Sequence, residues 1–464
     1  MRCPLAHFYS AVDIRLKFIN YQLWGAIFLV GFFPVIYSTV RIYFLNSLPD
    51  TWNVSIAAQA AWLHLAYEVL QEALLLPLYF LFGQVIRDLP ALRERISSAF
   101  AVTLMAYAVL TIVILIGADQ FTAAMAQDTE LQDLTASYIR LESLAIMMGT
   151  LNDMCIVVVV ALGLHRLVLL LVAMRALATM SLDAFFVGQF SWSLDLGVIG
   201  VAVTNIGVGV LLFLPSVFIL HRLGLLRRTQ RGSATAWMRS WFQVAIRSGL
   251  ESGVRNLAFS IMILRLMNEV DEAGLFWVTN GFIWGWLLLP ILTLGTLVRQ
   301  DAGNHNGKLG QRFTGYLWLT VIIILVWVLT VPGWSWFISS AMGSPDADRV
   351  ASLALLMLGF YIVFAFNHML DSYFYGVGRT DLMLYQSLFV SILYYGSAFI
   401  LYYFGLFDPQ LQQIALLFGG GILIDSLVTL WQFWRVGYFV VAQQDDEAVA
   451  ETVNGQLGEL RQGV

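Results

Sequence analysis

Apolar runs of roughly 20 to 28 residues alternate with short polar breaks along the chain, and each run is long enough for a helix to cross about 30 Å of hydrocarbon at about 1.5 Å per residue. The pattern predicts twelve spanning helices, near residues 19–45, 54–86, 96–117, 137–162, 165–188, 197–222, 238–267, 274–298, 313–341, 350–376, 382–405 and 411–438. The expected fold class is an all-α integral membrane protein. Charge separates the breaks into two kinds. If the amino terminus is cytoplasmic, the inner segments hold Arg15, Lys17, Arg87, Arg93, Arg95, Arg166, Arg227, Arg228, Arg231, Arg239, Arg299, Lys308, Arg312 and Arg379. The outer breaks carry Asp50, Asp119, Asp128, Glu130, Asp133, Asp195, Glu269, Asp271, Glu272, Asp346, Asp348 and Asp408. Only Arg349 sits clearly in an outer break, so the positive-inside rule predicts a multi-pass protein of the inner (plasma) membrane with both termini cytoplasmic.

An internal repeat underlies the pattern. Leu74-Leu75-Leu76-Pro77 is followed by Val85-Ile86-Arg87-Asp88, and Leu287-Leu288-Leu289-Pro290 by Val298-Arg299-Gln300-Asp301, so the prolines lie 213 residues apart (77 to 290). Both copies end the second helix of a six-helix half. Six is even, so the halves enter the membrane in the same orientation, as parallel repeats about an axis along the membrane normal. The chain then divides into an N-lobe at 1–223, an inter-lobe loop at 224–236, a C-lobe at 237–440 and a polar cytoplasmic tail at 441–464.

Composition narrows the class. The 464 residues are 59% hydrophobic and 12% charged, with a mean hydropathy of +0.77, which excludes an ordinary soluble domain. The two cysteines, Cys3 and Cys155, suggest neither a disulfide framework nor a metal site. The opening MRCPLAHFYSAVDIRLKF lacks a long apolar core before a small-residue cleavage site, so no removable signal peptide is expected. HExxH, CxxC, a Walker loop and a nucleophile elbow are all missing from the sequence, which argues against an enzyme or a primary pump. The glycines of LGVIGVAVTNIGVGV and Gly419-Gly420-Gly421 suit close helix packing. The Trp and Tyr residues suit interfacial belts, as with Trp334 and Trp336, and any that face a cleft could contact aromatic cargo.

Charges inside the spans are costly in lipid and so mark interior positions. In IRSGLESGVRN, Arg247, Glu251 and Arg255 recur every four residues on one helix face, which predicts a polar path along the seventh helix. Glu68 and Glu72 have the same spacing in the second helix; two carboxylates that close favour a shared proton. The repeat makes Arg41, 36 residues before Pro77, the approximate counterpart of Arg255, 35 before Pro290. Arg41 lies only five residues before Asn46 and could instead snorkel outward, as Arg265 is expected to do. His368 and Asp371 sit three residues apart on nearly one face and could join a proton path. Asp153, Arg175, Asp183 and Asp425 are single charges that suit interhelical bonding.

The stretch from DTELQDLTASYIRL through SLDAFFVG to LGVIGVAVTNIGVGVLLFL resembles the multidrug and toxic compound extrusion (MATE) transporters of the MOP superfamily. Pro34, Pro77 and Gly376-Val377-Gly378-Arg379-Thr380 sit where that family places comparable residues, and the resemblance spans the chain in helix order. It implies two six-helix lobes around a central cleft, alternating access, and export of drugs or metabolites driven by sodium or proton entry. The usual coupling carboxylates do not carry over. Counting ten positions from Pro34 reaches Phe44, the seventh-helix Glu position falls at Arg255 with Glu251 one turn earlier, and the tenth-helix acid falls near Phe366 or Asn367, leaving Asp371 displaced.

These observations predict a cation-coupled antiporter of small organic molecules, monomeric, with no cofactor beyond a coupling ion (proton preferred over sodium), embedded in lipid and without nucleic-acid partners. Its pathway residues would be Glu68, Glu72, Arg41, Arg247, Glu251, Arg255, His368 and Asp371. Two other functions fit the same sequence. One is a superfamily transporter of an anionic amphiphile or lipid-linked precursor, with Arg247 and Arg255 as a phosphate clamp. The other is a non-transporting receptor or scaffold.

Overall fold

The computed structural model describes residues 16, 19–50, 52–225, 235–304, 309 and 311–437, and these form helices and the turns between them, without strands. The expected tail at 441–464, most of the inter-lobe loop, and Cys3, Arg15, Lys17, Arg227, Arg228, Arg231 and Lys308 lie outside the described residues.

Six helical segments make the first half: α1 (Tyr21–Asn46), α2 (Trp52–Gly83), α3 (Leu89–Ala124), α4 (Gln132–Ala161), α5 (His165–Phe186) and α6 (Gly197–Arg222). In the second half, α7 runs Thr235–Phe259 and continues through a π turn at Ser260–Leu264 into Arg265–Glu269. Then come α8 (Ala273–Phe282, a π turn at Ile283–Leu287, and Leu289–Asn304), α9 (Gln311–Thr330, then Trp334–Ala341 after a short turn), α10 (Ala347–Gly376), α11 (Thr380–Tyr403) and α12 (Leu411–Gln432). Ten of these are long and apolar enough to cross a membrane as single helices, and α8, bent by 53°, makes an eleventh. The twelfth, α7, is as long, but Arg239, Arg247, Glu251 and Arg255 make it the polar member of the set.

Helix ends differ from the hydropathy reading where polar caps extend them. α3 starts at Leu89 rather than near 96 because the Asp88 carboxylate accepts from the Ala91 amide and Pro90 suits the first turn. Arg93, Glu94 and Arg95 therefore lie on the helix. Of the two expected belt tryptophans, Trp336 is exposed, while Trp334 is buried against Phe282.

The repeat is written into the backbone. The π turns at Gln71–Leu75 and Ile283–Leu287 stand just before Pro77 and Pro290. A proline ring crowds the carbonyl four residues earlier, here Ala73 and Trp286, and both lie inside the widened turns.

Within the first half, α4 packs on α3 and α6, and α5 on α1 and α6; within the second, α10 packs on α8 and α12, and α11 on α12. Three seams join the halves: α1 against α8, α2 against α7, and the start of α2 against the start of α8. Glycine sets how close they come: a Cβ at Gly281 would lie 2.9 Å from Ile42 Cδ1, and one at Gly249 would lie 3.0 Å from Ala73 Cβ. Polar bonds pin both ends of the seams. Toward the acidic breaks, Gln59 and Asn268 exchange side-chain bonds at 2.6 and 2.9 Å, and Asn46 donates to the Met342 carbonyl at 2.9 Å. Toward the basic breaks, Trp241 Nε1 donates to Leu74 O and Trp24 Nε1 to Thr293 Oγ1, both at 3.1 Å.

Candidate functional site

Three connected cavities occupy the space enclosed by these seams. The first, about 620 Å³, is walled by α1 to α6 and by α8. The second, about 670 Å³, is walled by α7, α8, α10, α11 and α12, with α1 and α2 closing it. The third, about 660 Å³, reaches from His64 toward Tyr79 and Arg299. Glu68 borders all three, and Ser38, Trp277, Gly281 and Trp284 form the wall shared by the first two.

In the first chamber the charges are matched one to another. Arg41 donates to Asp183 through Nε at 2.8 Å and through a terminal nitrogen at 3.2 Å, and that same nitrogen donates to Asn205 Oδ1 at 2.8 Å. Asn205 Nδ2 then donates to both oxygens of Glu142 at 2.8 and 2.9 Å, and His64 Nε2 meets Glu142 at 3.3 Å. This chain ties α5, α1, α6, α4 and α2. The Asp183 side chain has no exposure at all, so its negative charge rests on the guanidinium. Arg41 thus points into its own half, on the wall of the first chamber, and does not snorkel outward. Asp153 and Arg175 pair at 2.9 Å across α4 and α5, as their isolated positions suggested.

The seam carries a second cluster. Arg255 donates to Glu251 Oε1 at 2.6 Å and to Glu72 at 3.0 and 3.1 Å, and Glu68 lies 3.8 Å away. One guanidinium therefore serves three carboxylates drawn from α2 and α7. Arg247 does not join it. Each four-residue step turns a helix face by about 40°, so three such positions span about 80°, and the third leaves the packed side. The packed stripe is Trp241, Ala245, Ser252 and Asn256, and Arg247 is exposed beyond its edge. The two arginines of a phosphate clamp do not converge.

Deeper in the second chamber, two carboxylates have neutral hydrogen-bond partners. Asp371 and Asp425, from α10 and α12, accept from the single Asn367 side-chain amide at 2.9 and 3.1 Å, and Thr429 donates to Asp371 at 3.0 Å. Gln386 of α11 approaches both. No arginine or histidine bonds to either carboxylate among the described residues. Aromatic rings, among them Phe259, Trp284, Phe364, Tyr395 and Phe418, line the remaining wall. His368 is not part of this group. Three residues from Asp371 is most of a turn, and its ring packs into the space left by Gly295 of α8, where a Cβ would sit 2.2 Å from Nε2. Among the described residues, no cluster of three His, Cys, Asp or Glu could hold a metal ion.

Sequence reasoning missed Glu142, His64, Asn205 and Asn367. Glu142 reads as the polar start of a helix just after an outer loop, and single amides or histidines in apolar helices carry no spacing. The available signal was that Arg41 and Asp183 each needed an opposite charge within the same half.

No protein-family model matches the sequence, and no curated protein matches it significantly. Solved structures do match. A multidrug resistance MATE family transporter of the MOP superfamily, in an inward-facing conformation, superposes with a TM-score of 0.65 at 18% identity over 89% of this chain and 98% of that one. The outward-facing conformation of such a transporter superposes with a TM-score of 0.64 at 18% identity over 90% of this chain and 95% of that one. A MOP superfamily transporter from Pyrococcus furiosus, for which reverse polarity of the binding pocket suggests a different function, gives a TM-score of 0.65 at 18% identity over 90% of this chain and 95% of that one.

Proposed function

We propose, for a chain with the fold of the MATE transporters of the MOP superfamily, a secondary active transporter that exports small organic molecules by alternating access of its two lobes, 1–223 and 237–440, driven by proton entry. The observation that carries this reading is the Asp371–Asp425 pair, held by neutral donors in a chamber wall. Two carboxylates sharing one amide in a low-dielectric site are not both ionised without a counter-charge, so the pair takes up a proton or a small cation. Loading from one side and release to the other drives transport when the two access states differ in affinity for that cation.

The seam cluster links loading to movement. Arg255 binds α7 to Glu72 of α2 beside Glu68, so a change of charge at Glu68 alters a tie between the lobes. Substrate would occupy the aromatic second chamber, beside Glu68 on the shared wall. The basic side is assigned to the cytoplasm of a plasma-membrane protein, with both termini there, and the working unit is a monomer.

Reconstituted vesicles test the reading. A pH gradient should drive uptake of an organic fluorophore by the parent protein, and Asp371→Asn or Asp425→Asn should reduce that flux at least tenfold. Full gradient-driven flux in the double variant, or flux that follows sodium and ignores pH, would sink the proton assignment.

A further inference from the structure

We infer that α7 carries, at its basic end, a binding site for the headgroup of an anionic phospholipid, formed by Arg247 with Arg239. Several other arginines of the spanning helices are ion-paired, whereas Arg166, Arg222 and Arg299, toward the basic ends, show no ion pair among the described residues. Arg41 is bonded to Asp183, Arg140 to Asp119, Arg175 to Asp153, Arg255 to Glu251, and Arg265 to Glu269. Arg247 and Arg239 have no ion pair or hydrogen bond from their side chains among the described residues, and both are exposed.

Their surroundings identify the missing partner. The opposite face of the helix is fixed to α2, through Trp241 bonded to Leu74 O and Ser248 bonded to Glu72 O at 3.0 Å. The face with the arginines presents Ile246, 69% exposed, and Leu250, 55% exposed, side chains that acyl chains cover in a membrane. Depth fits a headgroup. Arg247 lies 22 residues from Glu269 at the acidic end (247 to 269), and at about 1.5 Å per residue that is about 33 Å, just over the hydrocarbon thickness of about 30 Å. Arg247 therefore reaches the phosphate level of the leaflet on the basic side. Arg239 stands two turns further out on the same side, with the exposed Gln243 amide between them. A guanidinium fork matches two phosphate oxygens, and leaving it unpaired beside lipid is costly. Phosphatidylglycerol supplies a net negative charge at that level, whereas the headgroup of phosphatidylcholine carries its own cation.

The full-length protein in detergent, titrated with phosphatidylglycerol or with phosphatidylcholine of the same acyl chains, gives the test by native mass spectrometry. Several-fold preferential retention of phosphatidylglycerol is expected. Arg247→Ala should lose most of it, the double variant with Arg239→Ala all of it, and Arg247→Lys should keep a part. Arg247→Gln serves if the alanine variant expresses poorly. Equal retention of the two lipids by the parent protein, or undiminished phosphatidylglycerol binding in Arg247→Ala and Arg247→Gln, would overturn the site. So would displacement of the lipid by millimolar inorganic phosphate, which would identify a free-anion site instead. The readout does not depend on transport, so it stands apart from the proton-coupling test.

Discussion

The aspartates around the first chamber and the Asp371–Asp425 pair of the second are held in different ways, while Glu251 on the second chamber is bonded to Arg255. In the first, Asp183 leans on Arg41, Asp153 on Arg175, and Glu142 accepts from Asn205 beside His64. The two aspartates there have an arginine each, and Glu142 has an amide and an imidazole. In the second, Asp371 and Asp425 share the Asn367 amide and the Thr429 hydroxyl, and no cation of the chain bonds to them. The first half answers its buried aspartates with arginines, and the second leaves this aspartate pair to an amide and a hydroxyl.

The largest expected effect comes from breaking the first arrangement. Arg41→Ala leaves Asp183 buried without its charge partner, a change that costs about 3–5 kcal/mol in comparable buried pairs. Thermal melting in detergent should fall steeply, and adding Asp183→Asn should recover part of the loss. A single variant as stable as the parent would show that the pair is not what holds these helices. The second arrangement predicts the reverse. Asp425→Asn still accepts from Asn367 and removes a like charge, so its melting temperature should hold or rise even though gradient-driven flux is lost. A drop as large as that of Arg41→Ala would erase the contrast between the chambers. The smallest effect is expected at the acidic end of the α2–α7 seam. Asn268→Leu removes the reciprocal bonds with Gln59 and the bond to Met125 O, while Gln59 keeps Ser55, Trp62 and Gln127, so the loss should be about 1 kcal/mol. It should raise the labelling rate of a cysteine introduced at Ser55, one turn from Gln59 on α2 and packed against Gly274 of α8. Unchanged labelling would mean that the amide pair does not hold that end shut.

Much of the fold was legible because hydrophobic run length is a one-dimensional signal, and the twelve segments follow it. The repeat was legible for the same reason, since Pro77 and Pro290 punctuate equal helices and each leaves a widened turn behind it. The chemistry was legible only where charges were spaced along one helix. Arg255 with Glu251 is such a case, and Glu68 with Glu72 came out beside the same guanidinium. Arg247 had the same spacing and a different fate, because spacing gives the angle between side chains and says nothing of where the neighbouring helix ends. The Arg41 network was illegible for a further reason. Its members come from five helices, and only tertiary packing brings His64, Glu142, Asp183 and Asn205 to one arginine.

The paired π turns have a consequence for register. Each inserts one residue relative to a regular helix, which rotates everything beyond it by about 100°. Glu68, before the turn in α2, and Leu78, after it, therefore present faces that an uninterrupted helix would not combine: a carboxylate on the chamber wall and an apolar stripe buried in the lobe. Removing one residue from Gln71–Leu75 would leave a helix of nearly the same length with its basic end facing the wrong way. The twist, more than the span, is what the repeat preserves.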